Sequence, residues 1–217
     1  MDAAASPTDA PRVLKCTNPA CGLRFPDPRG EVDRCPRCGA AVRVVGPVLP
    51  WQPEPAQPPQ PLAATRAVVL DNLRSAWNVG AVFRIADAAG FGHLFLTGIT
   101  PTPPHPRIAK VALGAERSVP WSYHPDAVLL AQQLREKGWT LWALEVVPEA
   151  ATLPAGHLPP PEPWAWLIGN EVTGLDPELL ALAHAVWRLP MRGRKRSLNA
   201  AMAFAAAAYR LQEPEDK

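Results

Sequence analysis

Beyond residue 65 the chain alternates short apolar runs with longer stretches whose apolar positions recur at helical spacing. The runs at 67–70, 93–97, 140–145, 164–168 and 185–189 are brief and bounded by polar or turn residues, which predicts strands. Between them the stretches 77–89, 107–116, 126–137 and 177–183 predict helices. The first helix begins near Asn78 and stops at Gly90, since glycine suits a helix C-terminus. A last helix runs through the alanine-rich residues 200–208, with Ser197 or Asn199 as its N-cap. Apolar strands alternating with helices predict an α/β domain whose sheet is mostly parallel and covered by helices on both faces. Trp139, Trp142, Trp164, Trp166 and Trp187 fall in or beside the strands, so core packing accounts for them better than base stacking.

That pattern fails before residue 65. Of the chain's 28 prolines a dense group occupies 47–61, where neither helix nor central strand can form. Residues 47–62 therefore read as an extended linker, with a reach of roughly 45 Å in polyproline II geometry. It separates a main domain, 63–213, from a module at 12–46 that holds all four cysteines. Cys16 and Cys21 are spaced C-x4-C and Cys35 and Cys38 C-x2-C, with thirteen residues between the pairs. Four thiolates so placed suit a tetrahedral Zn²⁺ with no open position. Disulfides would require an oxidising compartment, and residues 1–11 lack the apolar core of a secretory leader. A redox C-x-x-C would sit in a βαβ pattern, which the module lacks. A module of about 35 residues buries too little to fold alone, so a zinc ribbon that folds on binding metal is expected. Arg12, Lys15, Arg24, Arg29, Arg34, Arg37 and Arg43 decorate it, a surface that suits RNA first and a protein partner second.

With 217 residues and 47% hydrophobic content, the chain can bury one ordinary core besides this module. No apolar run approaches ~20 residues, so a cytoplasmic protein without a membrane span is expected. The net charge of +2 announces no nucleic-acid binder, and any such function must rest on local clusters. One such cluster exists, with Arg192, Arg194, Lys195 and Arg196 crowded between Pro190 and Ser197. No G-x-G-x-x-G follows the first strand and no G-x-x-x-x-G-K-[ST] occurs, which removes the usual phosphate cradles of dinucleotide and P-loop enzymes.

Three segments carry more specific chemistry. Residues 70–90 place Asn78 and Arg84 on the first helix. Residues 166–174 run from a buried strand into a polar turn at Gly169, Asn170 and Glu171. Residues 189–199 leave a strand through Pro190 and Met191 and reach Ser197, Leu198 and Asn199. In order, spacing and residues, these segments resemble the three motifs of the SpoU/TrmH-type RNA 2′-O-ribose methyltransferases of the SPOUT superfamily, over residues 65–212. The resemblance implies a knotted SPOUT-type α/β fold, S-adenosylmethionine as methyl donor, tRNA or rRNA as substrate, and a homodimer. It implies that the donor is held by Leu144, Gly169, Asn170, Glu171, Gly174, Leu189, Met191, Ser197, Leu198 and Asn199, with Gly169 letting the backbone approach the adenosine closely. It further implies catalytic roles for Asn78, Arg84, Glu171, Ser197 and Asn199.

On its helix Arg84 has Ala81 at i−3 and Ala88 at i+4, a ridge of small residues open to a partner. A surface pair with Asp87 at i+3 is the alternative. Members of the family are thought to activate the 2′-hydroxyl through the matching arginine. A guanidinium that stays protonated suits phosphate binding and hydroxyl orientation first, and proton abstraction second. The proline-rich loop 100–106 opens beside this site, and His105 within it reads as a surface residue. The basic run is a departure, since many relatives carry acidic or apolar residues before the motif serine. Two other readings stay open: a SPOUT base methyltransferase, which would use an acidic residue instead of Arg84, and an RNA-binding assembly factor with little turnover.

Overall fold

The computed structural model describes residues 11–47 and 65–211. The chain divides into two compact units, Met1–Pro58 and Pro59–Lys217. The expected linker, apart from Pro47, lies outside the described residues, as do residues 63, 64, 212 and 213 of the expected main domain.

In the N-terminal unit β1 (Arg12–Cys16) pairs antiparallel with β2 (Arg24–Asp27) and with β3 (Val42–Pro47), in the order β2-β1-β3. Its buried apolar interior is little more than Leu14, Cys16 and Cys35. Asp27 is buried as well and accepts three hydrogen bonds, from Arg12 Nε at 3.1 Å and from the backbone N–H groups of Glu31 and Val32 at 3.2 and 3.1 Å. Arg12, expected among the surface cations, is therefore occupied inside the module, where it also donates to the Gly30 carbonyl at 2.7 Å.

The second unit is built on a seven-stranded sheet: β4 (Arg66–Asp71), β5 (His93–Thr97), β6 (Trp121–His124), β7 (Thr140–Leu144), β8 (Ala151–Thr152), β9 (Trp164–Ile168) and β10 (Ala185–Arg188). The order is β6-β5-β4-β9-β7-β10-β8, and every neighbouring pair is parallel. Helices α1 (Ala76–Ala88), α2 (Pro106–Ala112), α3 (Ala115–Ser118), α4 (Ala127–Glu136), α5 (Pro177–Ala181) and α6 (Ala200–Ala208) complete it. The strands are apolar at successive positions because each side of the sheet has its own core. Val68, Leu70, Trp164, Trp166 and Ile168 pack with α1 and α6, while Ala67, Val69, Ala165 and Leu167 pack with α4 and Leu179 of α5. Trp142, Trp164 and Trp166 are buried in the first of these cores, as expected. No helix among the described residues is long and apolar enough to cross a membrane.

Three expectations need correction. Helix α1 starts at Ala76 rather than near Asn78, because Ser75 takes extended geometry and its hydroxyl accepts the Asn78 N–H at 3.3 Å. The helix expected over 107–116 is two helices, since Leu113 (φ 53°) and Gly114 (φ 102°) both turn left-handed. Strands β6 and β8 escaped the pattern because neither carries an apolar run: β6 reads Trp-Ser-Tyr-His, and β8 is only Ala151 and Thr152.

Candidate active site

Loops meet where β7, β9 and β10 end. After Ile168 the chain turns at once, and a Cβ on Gly169 would lie 2.3 Å from the Leu175 nitrogen and 2.4 Å from the Gly174 carbonyl carbon. Its own returning loop thus leaves no room for a side chain there, and Gly169 also lies in the pocket wall described below. Asn170 and Gly174 close that loop with reciprocal backbone bonds of 3.1 and 3.0 Å. Within it, Asn170 Oδ1 accepts the N–H groups of Val172 and Thr173, and Asn170 Nδ2 donates to the Asn72 carbonyl at 2.7 Å. Glu145, just past β7, accepts from the Val146 and Leu175 N–H groups at 2.8 and 2.9 Å. Its carboxylate therefore ties the β7 loop to the β9 loop.

A second set of bonds joins all three motif segments. Glu171 accepts from Asn78 Nδ2 at 2.6 Å and from the backbone N–H groups of Arg74 and Ser75 at 3.1 and 3.3 Å. These donors surround the N-terminus of α1, where helix polarity favours a negative charge. Asn78 Oδ1 in turn accepts from Asn199 Nδ2 at 2.8 Å. Asn199 Oδ1 accepts the N–H groups of Ala201 and Met202, so Asn199 rather than Ser197 caps α6. The carboxylate at one end only accepts and the N–H groups at the other only donate, which fixes the orientation of both amides between them. Burial pushes the Glu171 carboxyl up, but hydrogen bonds led by the Arg74 N–H outweigh it and hold the group below the usual carboxylate range.

Around this brace opens a cavity of about 370 Å³. All ten residues expected to hold the methyl donor line it: Leu144, Gly169, Asn170, Glu171, Gly174, Leu189, Met191, Ser197, Leu198 and Asn199. Ser197 is exposed there and makes no hydrogen bond among the described residues. Two expected catalytic residues lie outside the lining. Asn78 is nearly buried and committed to the brace. Arg84 is exposed on α1, and its side chain makes no ion pair or hydrogen bond among the described residues. The alternative pairing with Asp87 is not formed, and Asp87 instead accepts the Ser118 hydroxyl at 2.9 Å. His105 is a structural cap, its Nδ1 accepting the Arg107 N–H at the start of α2. Ile168, Arg188, Arg196, Ala200 and Ala203 also stand in the pocket wall and were not expected there. The i, i+3 spacing of the two alanines on a helix that starts at the pocket was the available signal for them.

In the N-terminal unit the four cysteine sulfurs all lie within 4.8 Å of one another, with Cys16 and Cys38 at 3.5 Å and Cys21 and Cys35 at 3.8 Å. All four are free thiols. A tetrahedral ion with metal–sulfur bonds of about 2.3 Å sets its sulfurs about 3.8 Å apart, so this donor set fits Zn²⁺. Burial pushes the Cys16 thiol up to about 12, whereas at Cys35 the N–H groups of Arg37 and Cys38 help outweigh burial and bring the thiol down to about 7.

Residues 65–209 match the SpoU rRNA methylase family. The chain is 30% identical over 145 residues to the tRNA (guanosine(18)-2′-O)-methyltransferase of Thermus thermophilus, covering 67% of this chain and 73% of that relative. It is 28% identical over 156 residues to the 23S rRNA (guanosine(2553)-2′-O)-methyltransferase of Bacillus subtilis, covering 71% of this chain and 61% of that one. Among solved structures, the AdoMet-bound rRNA methyltransferase from Sinorhizobium meliloti is similar, with a TM-score of 0.60 and 29% identity. That likeness covers 70% of this chain and 56% of the other, so the chain spans little more than half the length of that structure.

Proposed function

The chain belongs to the SpoU rRNA methylase family, and from that premise we propose that it transfers a methyl group from S-adenosylmethionine to a ribose 2′-hydroxyl of tRNA or rRNA. The observation that carries this reading is the pocket, lined by the ends of the second and third motif segments and braced to the first through Asn78. Its volume lies within the range of about 300–1,000 Å³ usual for small-molecule sites. Leu144, Leu189, Met191 and Leu198 offer apolar walls for an adenosine, and the loop backbones offer polar edges. The named relatives act on tRNA and 23S rRNA riboses, and the similar solved structure holds AdoMet, in line with the reading.

When bound, S-adenosylmethionine supplies an electrophilic methyl group. The chain's own contribution is positioning. Glu171, Asn78 and Asn199 have their polar groups satisfied by one another and by backbone, so they act in this reading by holding the loops in place before the donor arrives. Ser197 keeps its hydroxyl for the ligand. The trefoil knot that the family resemblance implies belongs to this proposal, as do the zinc ribbon at 12–46, the linker at 47–62 and the methyltransferase domain at 63–213.

Arg84 enters the reaction from a second copy of the chain. It is exposed, charged and outside its own pocket, and its part is to hold the phosphodiester and orient the 2′-hydroxyl. Large apolar side chains on helices α1 and α6 and at the end of α2 support an interface, with Trp77, Met202 and Leu113 exposed at 50%, 65% and 70%. The alanines of α6 add little to that interface, because Ala201, Ala207 and Ala208 are buried within the chain itself. Arg84→Ala and Asn199→Ala proteins should each be nearly inactive alone, with the first still binding S-adenosylmethionine by calorimetry. Mixing them under subunit exchange should restore activity through one intact composite site. A monomer by light scattering, or no recovery despite proven exchange, would overturn the shared site.

A further inference from the structure

The pocket wall carries cations that its own acids do not pair. Two acids and two arginines line it, Glu145, Glu171, Arg188 and Arg196. Both carboxylates are already satisfied by backbone and amide donors. The arginines are not: Arg188 makes one long bond of 3.4 Å to the Thr152 hydroxyl, and Arg196 makes no hydrogen bond or ion pair among the described residues. Arg196 also ends the run that contains Arg192, Arg194 and Lys195. All four are exposed, in a segment with neither helix nor strand. No fold contact calls for them, and like charges so close together repel unless an anion joins them.

We infer that the loop from Arg192 to Arg196 is a phosphodiester clamp, which holds the substrate RNA backbone at the mouth of the pocket, with Arg196 on the phosphate nearest the reacting ribose. The inference rests on the reading of this pocket as the methyl-donor site. An oxyanion at Arg196 could also come from the carboxylate of S-adenosylmethionine. A single carboxylate, however, would occupy one guanidinium, whereas three further cations leading out of the pocket match a repeating anion. An RNA strand supplies one.

The test uses the full chain, an unmodified tRNA transcript, and the variants R192Q/R194Q/K195Q and R196Q. Affinity for the transcript is measured against salt concentration, and S-adenosylmethionine binding by calorimetry. Every phosphate deprived of its cation lowers the slope of log K against log salt by about 0.7–0.9. The triple variant should lose about 2–3 of that slope and R196Q about 0.7–0.9, both with unchanged donor affinity. R196Q should also lower the transfer rate at saturating RNA, with partial rescue by R196K. Unchanged slopes would overturn the clamp. So would weakened donor binding by R196Q with an unchanged RNA slope, since the oxyanion would then be the donor's carboxylate. A wild-type chain that binds no S-adenosylmethionine, while the slopes still fall in the variants, would leave the clamp standing and remove the reading of the pocket.

Discussion

Asn78 joins Glu171, 93 positions away, to Asn199, 121 positions away, and these two side-chain bonds make one site of three separate stretches of sequence. Removing either asparagine strips a partner from the other and from a group beyond it, Glu171 or the first turn of α6. Asn78→Ala and Asn199→Ala should each destabilise the second unit by about 1–3 kcal/mol. In the double variant the costs should fail to add by about 0.5–3 kcal/mol, because the two residues share one network. Urea unfolding of the four proteins checks this, and simple additivity would contradict the brace. The motif resemblance picked out Asn78, Glu171 and Asn199, but it could not say that they bind one another. Long-range pairing leaves no trace in local spacing. For the same reason Arg188 was not legible, since an arginine at the end of a strand looks like any solvated strand end.

At the scale of elements, legibility followed the run of apolar residues. Strands β4, β5, β7, β9 and β10 face a core on at least one side, and their apolar runs gave them away. The half-buried β6 and the two-residue β8 have no such run and were missed. Gly169 shows the other limit, because glycine in a sequence announces a steric constraint without naming the group that imposes it. Here the backbone of Gly174 and Leu175 imposes such a constraint by itself. Gly169→Ala should therefore force the loop open in the absence of any ligand. The expected cost is about 1–3 kcal/mol, with a melting temperature lower by roughly 2–4 °C per kcal/mol and loss of donor binding. Gly193→Ala is the control, since a Cβ there meets nothing within 4 Å and should shift stability by no more than about 0.5 kcal/mol. Equal stability of the two variants, read by calorimetric melting, would refute the steric argument.

For the molecule as a whole, the division of labour was visible in composition. All four cysteines precede the proline-rich stretch, and the family match begins after it, at residue 65. The net charge of +2 concealed the basic loop, because twenty acids elsewhere nearly balance the cations. With so small an apolar interior, the N-terminal sheet should depend on its metal, which in zinc-finger peptides contributes roughly 10–16 kcal/mol at neutral pH. Purified protein should carry one Zn²⁺ per chain. Chelation should erase the amide signals of β1, β2 and β3 while leaving those of the parallel sheet in place. A metal-free module that stays folded would contradict this dependence. The central claim is ribose methylation, and it is tested most directly by supplying methyl-labelled S-adenosylmethionine with unmodified tRNA and rRNA, then digesting the RNA to nucleosides for mass spectrometry. The label should appear in a 2′-O-methylated nucleoside and be lost with Arg84→Ala; label on a base, or none from a protein that binds both donor and RNA, would contradict the account.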